Sequence, residues 1–276
     1  MAANTNSFTP RAGRFGMFTG VFTPNILTIL GIILFLRVGW VVGQAGLWGA
    51  LAIVILANVI SFMTGLSLSA IATSMDVRAG GNYYLISRSL GLEVGGAIGI
   101  PLYLSQAISI AFYIIGFTEA LQALAFFQQV DPRLTATAVA LLFVVIAYIG
   151  ADFALRIQYF ILAILVLALL SFFGSGWNSF ETINYAANYT PGNNFWTVFA
   201  VFFPAVTGIE VGISLSGDLK DPSKDIPRGT ILSIVFTALV YIAAVLWFAS
   251  HLSADELINN NLAMQSIAVF PPLILA

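Results

Sequence analysis

FFPAVTGIEVGISLSGDLKDPSKDIPRGT, residues 202–230, decides how the chain is read. An apolar span is interrupted by Pro204, Thr207 and Gly208, carries a carboxylate at Glu210, and then runs into a charged turn. Inside hydrocarbon every backbone N–H and C=O must be satisfied internally. A broken helix is tolerated there only where it faces protein or a water-filled cavity. An ionisable side chain beside the break is therefore the expected mark of a transport site.

The surrounding sequence supplies the membrane. Of 276 residues, 59% are hydrophobic and 8% are charged, against about 25% charged in soluble domains. Mean hydropathy is +0.97. The net charge of −2 gives no electrostatic footprint for nucleic acid. Cysteine is absent and His251 is the single histidine, which excludes a disulfide framework, a thiolate metal site and a histidine cluster. His251 itself reads as a loop residue just past an apolar span. Nothing resembles a nucleophile–base pair, so neither an enzyme nor a cofactor is expected, and no metal beyond transported ions.

A spanning helix needs about 20 mostly apolar residues. Candidates lie at 20–46, 48–73, 94–126, 133–151, 156–175, 195–217 and 229–250, and an eighth is expected to begin near residue 263. The fold class is an all-α membrane protein. The last residues lack the polar flank of a membrane helix, so the chain reads as the N-terminal part of a longer transporter. On that reading residues 1–17 are a cytoplasmic tail, and 18–276 are a truncated transmembrane domain. A short seven-helix protein and a non-transporting fragment or regulatory subunit are the other readings. The N-terminal stretch carries Arg11 and Arg14 and no short apolar core with a cleavage site, so it is not a signal peptide.

Charge sets the expected orientation. With the N-terminus inside, Arg11, Arg14, Arg78, Arg88, Arg156, Lys220, Lys224 and Arg228 are cytoplasmic, and Arg133 alone lies outside. That asymmetry favours a cytoplasmic N-terminus in a multi-pass cell-membrane protein. The outer loop, 174–194, is polar and rich in Asn. Its Asn188-Tyr189-Thr190 triplet matches a glycosylation sequon, a short pattern that arises readily by chance.

The broken span has a counterpart. GVFTPNILTILGIILFLRVGW, residues 20–40, holds Pro24, Asn25, Thr28 and Gly31, so its first half is weakly helical. Five spans separate one repeat start from the next, so spans one and six correspond, and the tetrads at 21–24 and 201–204 are similar. Discontinuous helices at matching positions of two five-helix inverted repeats are where transporters place substrate. Arg37 lies seven residues outward of the first break, about 10 Å at 1.5 Å per residue, and Glu119 six residues outward of Tyr113, about 9 Å. At a shared depth the two charges make each other tolerable. Two readings of the pair stand: a static lock between helices, or an outer gate that breaks and reforms.

LGIILFLRVGWVVGQAG (30–46), GLSLSAIAT (65–73), RAGGNYYLISRSLG (78–91), FYIIGFTEAL (112–121), FFPAVTGIEVG (202–212) and SGDLKDPSKDIPRGT (216–230) carry a resemblance. In order and over nearly the whole chain they resemble the cation–chloride cotransporters, the sodium-potassium-chloride branch more than the potassium-chloride branch. That family belongs to the amino acid–polyamine–cation superfamily. Low charge and a simple N-terminal segment are those expected of a prokaryotic relative. The resemblance implies two inverted five-helix repeats, a symporter of chloride with potassium, sodium or both, and a homodimer in the full-length protein. Its other partners would be the lipid bilayer and small inorganic ions.

The resemblance also implies sites. A potassium position is similar to one formed by Thr28, Ile29, Tyr113, Pro204 and Thr207, although the family usually has Asn where Thr28 stands. A sodium position would use carbonyls of Leu27 and Leu30 with hydroxyls from an eighth span. Chloride positions would use backbone N–H groups of Gly31, Ile32 and Ile33, and of Gly208, Ile209 and Glu210. The family usually has an apolar residue at the Glu210 position. Either that carboxyl is protonated, or the second chloride is absent, or the side chain points elsewhere. Amino acid permeases of the superfamily often carry an acid there. A proton- or sodium-coupled amino acid or polyamine permease is therefore the alternative. Two inner segments have simpler readings. Residues 217–230 form a solvated turn with Pro227 starting the seventh span, or part of an inner gate. Residues 78–91 form an amphipathic interfacial helix, with no strand or Lys-Ser/Thr ending to make a phosphate cradle.

Overall fold

The computed structural model describes residues 15–75, 77, 80–122, 124, 126–176 and 185–274. Arg11, Arg14, Arg78, most of the expected tail and part of the 174–194 loop lie outside the described residues. Among the described residues, seven helical segments are long and apolar enough to cross a membrane. Their order begins with a π-helical turn, Phe18–Phe22, leading into α1 (Thr23–Ile29) and α2 (Ile32–Leu36). Then come α3 (Val38–Ser74), α4 (Gly81–Leu90), α5 (Leu92–Gln122), α6 (Pro132–Ile149) and α7 (Ala151–Phe173). The rest comprises α8 (Phe195–Phe202), α9 (Val211–Ser214), α10 (Pro222–His251), α11 (Ala254–Asn259) and α12 (Ala263–Ile267).

The element α3 contains the corner expected between the first two spans. Gly46 has φ 63° and ψ 178°, outside helical values, so the first span ends there and the second begins. A side chain at Gly46 would run into the Ala186 carbonyl of the 185–194 loop, and only glycine combines that φ with so close an approach. Gln44, fully buried, fastens the same loop. Its Nε2 donates to Thr190 Oγ1 (2.9 Å), and its Oε1 accepts from Thr190 N (2.8 Å).

Two boundaries differ from expectation. The seventh span begins at Pro222, with Pro227 inside α10. Pro222 occupies the first helical turn, where a missing N–H costs nothing, and Pro227 falls one turn further on, before the apolar run. The stretch expected to open an eighth span is α12 and a 3-10 turn, Pro271–Ile274, separated at Ala268 by extended backbone. The Pro271-Pro272 pair removes two donors and disfavours helix just before it.

Small residues set the packing. In hydrocarbon, helices associate through close contact and not through an aqueous hydrophobic drive. The second-span part of α3 lies along α10, where a Cβ on Gly65 would meet Ile234 Cδ1 at 2.7 Å. Gly212 and Gly229 are similarly crowded by Val21. The broken spans thus sit among α3, α10 and the short helices α11 and α12, with Phe172, Phe202, Tyr241 and Phe248 fully buried. By contrast α5 and α6 expose Ile100, Tyr103, Ile108, Leu142, Val144 and Tyr148, as lipid-facing helices do. At one end, Phe15 pairs with Leu219 and α4 packs on α9. At the other lie Gly46, the 185–194 loop and Asn261.

Candidate functional site

Both interruptions are real backbone breaks. In the first span, Leu30 turns to ψ 38° and Gly31 to an extended φ −86°, ψ −150°. In an unbroken helix the carbonyls of residues 27–30 would accept from amides 31–34. Those amides lie past the break, and that of Leu34 turns instead to Gly31 O, 3.1 Å away. In the sixth span, Phe203–Val206 tightens to a 3-10 turn, Thr207 is extended, and Gly208 takes φ 97°. The helix resumes as α9. Pro204 starts the sequence of events, because its ring and missing N–H disrupt the helix it ends.

The breaks meet. A Cβ on Gly208 would collide with Thr28 Cγ2 and lie 3.1 Å from Thr28 Cβ. Side-chain oxygens dress both turns. Thr28 Oγ1 donates to Pro24 O (2.9 Å) and Thr207 Oγ1 to Pro204 O (2.7 Å). Both expected cation hydroxyls are thus folded back on their own helices, with lone pairs left over. Asn25 is buried and bridges three segments. Its Oδ1 accepts from Gly212 N (3.0 Å) and its Nδ2 donates to Ser233 Oγ (3.3 Å) on α10.

Tyr113 comes to the first break from α5. A Cβ on Gly31 would stand 3.8 Å from Tyr113 Cε1, and the side chain of Ile32 covers Gly116 one turn on. A cavity of about 440 Å³ opens here, lined among others by Leu27, Leu30, Gly31, Ile32 and Tyr113. Its walls are otherwise apolar. Pro204, Thr207, Gly208, Ile209 and Glu210 do not line it. The expected residues are therefore split. Leu27, Leu30, Gly31, Ile32 and Tyr113 share the cavity, Thr28, Ile29 and Ile33 are not part of its lining, and the sixth span joins the first through the Thr28–Gly208 contact. Ile29, Ile33 and Ile209 have buried side chains, so only their backbone could serve an ion.

Glu210 is an exposed residue, and its carboxylate takes a hydrogen bond from the side chain of Asn82, on α4. Arg37 and Glu119 meet at 3.1 Å, each side chain about one-third exposed (33% and 35%). Asn261 Nδ2 donates to the other carboxylate oxygen at 3.0 Å. That third member was not read from the sequence. Neither were Ser61, whose Oγ donates to Val206 O (2.9 Å), nor Tyr241, which reaches both breaks. Isolated polar side chains inside apolar runs were the available signal for both.

Interrupted spans that touch one another, wrapped by continuous ones, define an all-α membrane protein with discontinuous first and sixth spans. The chain belongs to the amino acid permease family, whose profile matches residues 20–276. It is similar to solute carrier family 12 member 2 of Danio rerio, 41% identical over 254 residues, 84% of this chain and 22% of that protein. It is also similar to solute carrier family 12 member 1 of Mus musculus, 37% identical over 271 residues, 90% of this chain and 25% of that protein. Member 2 of Homo sapiens is 37% identical over 271 residues, 90% of this chain and 22% of that protein. The expected resemblance to the cation–chloride cotransporters is borne out by these relatives. The chain spans about a quarter or less of the length of the curated relatives it matches.

Proposed function

We propose that the protein is a secondary active symporter that moves chloride with potassium, sodium or both by alternating access. The observation that carries this reading is the contact between the two breaks, which gathers freed carbonyls from both spans at one place. A large monovalent cation needs several oxygen ligands. Thr28, Ile29, Pro204 and Thr207 offer carbonyl and hydroxyl oxygens there, and Tyr113 offers a phenol. Sodium would use the carbonyls of Leu27 and Leu30, both beside the 440 Å³ cavity. Chloride would use the amides of Gly31, Ile32 and Ile33, and those of Gly208, Ile209 and Glu210. The exposed position of Glu210 beside Asn82 supports the outcome in which its side chain points away from an anion on its own backbone.

Arg37 and Glu119 act as an outer gate in this account, with Asn261 as a second anchor for the carboxylate. The N-terminus is cytoplasmic, because the lysines and arginines of the loops cluster on that side. Residues 18–276 then belong to the transport domain, and the full-length protein works as a homodimer. The relatives favour the cotransporter over the amino acid or polyamine permease.

Uptake of radioactive rubidium into liposomes holding the protein tests the proposal. Uptake should depend on external chloride and fall when gluconate replaces it. Chloride-independent rubidium uptake, or proton-driven amino acid uptake abolished in Glu210→Gln, would contradict it.

A further inference from the structure

Tyr241 sits in the middle of α10 with none of its surface exposed. Its hydroxyl lies 2.6 Å from Ile29 O and 3.2 Å from Ala205 O. Both carbonyls are products of the breaks. In continuous helices they would accept from the amides of residues 33 and 209, and each of those amides lies on the far side of an interruption. A phenol carries one hydrogen. It donates to the nearer oxygen, Ile29 O, and keeps Ala205 O beside it as a second acceptor. The ring cannot swing away, because Phe202 packs against it edge to face, with centroids 5.3 Å apart at 83°. Ser61, from the second span, serves the next freed carbonyl, Val206 O.

We propose that Tyr241 is a positioning residue of the cation site: it clasps the freed carbonyls of Ile29 and Ala205, fixes the spacing of the two breaks, and aims the Ile29 carbonyl. The inference rests on the cation reading given above. A carbonyl oxygen has two lone pairs, so Ile29 O accepts the phenol with one and remains available to a cation with the other. Without the phenol, that carbonyl is buried without a donor and its plane is free to turn. The arriving ion must then order it, and the loss falls on binding before turnover.

Tyr241→Phe keeps the ring and removes the clasp. In liposomes the half-saturating rubidium concentration should rise roughly five- to tenfold, the effect of about one hydrogen bond. The maximal rate should stay within about twofold, and discrimination between rubidium and caesium should narrow. A second readout is independent of transport. Amide hydrogen exchange at residues 30–33 and 207–211 should accelerate about tenfold, while the distant ends of α10 keep their wild-type rates. Phe202→Leu, which loosens the ring's seat and leaves the hydroxyl, should move both readouts the same way by a smaller factor. Unchanged rubidium dependence together with unchanged exchange overturns the proposal. If the wild type shows no chloride-dependent rubidium uptake, the proposed function fails, and the exchange measurement alone decides whether Tyr241 holds the breaks.

Discussion

Gly208 and Thr28 meet directly across the two breaks. Any side chain at 208 meets Thr28 and must adopt φ near 97°, a conformation costing a non-glycine residue roughly 1–3 kcal/mol. Gly208→Ala should therefore lower the melting temperature in detergent. Combining it with Thr28→Ser, which removes Cγ2, should recover the steric part and not the backbone part. Equal melting of the wild type and Gly208→Ala would refute the contact. Arg37 and Glu119 call for a different test. Both are one-third exposed, so solvent screening holds their mutual coupling to about 0.5–1 kcal/mol. A double-mutant cycle on stability should return a value of that size. A gate predicts in addition that Glu119→Gln changes the transport rate far more than it changes melting. A static lock predicts that the two change together.

Helices and their ends carry the next layer. Asn25 gives the second half of the sixth span its acceptor, through Gly212 N, and ties it to Ser233. Asn25→Ala leaves a buried N–H unpaired and should cost about 1–3 kcal/mol in detergent unfolding, whereas the exposed Asn259→Ala should cost far less. The α11 helix supplies a pH test. The Ser253 hydroxyl and backbone N–H both donate to the Glu256 carboxylate (2.8 and 3.0 Å) and hold it below its ordinary carboxylate range. A lowered acid stabilises the folded form at neutral pH, and that contribution is lost as pH falls through the lowered value. Once the slower intrinsic exchange of amides in acid is taken out, the protection of residues 255–257 should fall on acidification, and Ser253→Ala should flatten the response. The long elements were legible in sequence because periodicity and length suffice for them. Pro204, Gly208 and Gly31 announced the breaks, since proline and glycine act locally. The Pro222 start was hidden because two prolines five residues apart can each open a helix, and only the fold selects one. Tyr241 and Ser61 were hidden for another reason: a hydroxyl in an apolar run does not say which distant carbonyl it serves.

At the scale of the whole molecule, orientation and the ion site can each be measured directly. The chain contains no cysteine, so introduced thiols report without background. With a cytoplasmic N-terminus, Ala187→Cys should react with a membrane-impermeant maleimide on intact cells and Ser223→Cys only after lysis. The reverse pattern would invert the topology. What the fold adds to the sequence is convergence: residues 20–40 and 202–230 become one place, with Tyr113 beside it and Tyr241 behind it. The most direct test of that place is anomalous X-ray diffraction from crystals of the protein grown in rubidium bromide. The account predicts a rubidium peak bounded by Thr28, Ile29, Pro204, Thr207 and Tyr113, and a bromide peak at the amides of Gly31, Ile32 and Ile33. Rubidium bound away from the two breaks, or no rubidium at saturating concentration, would contradict it.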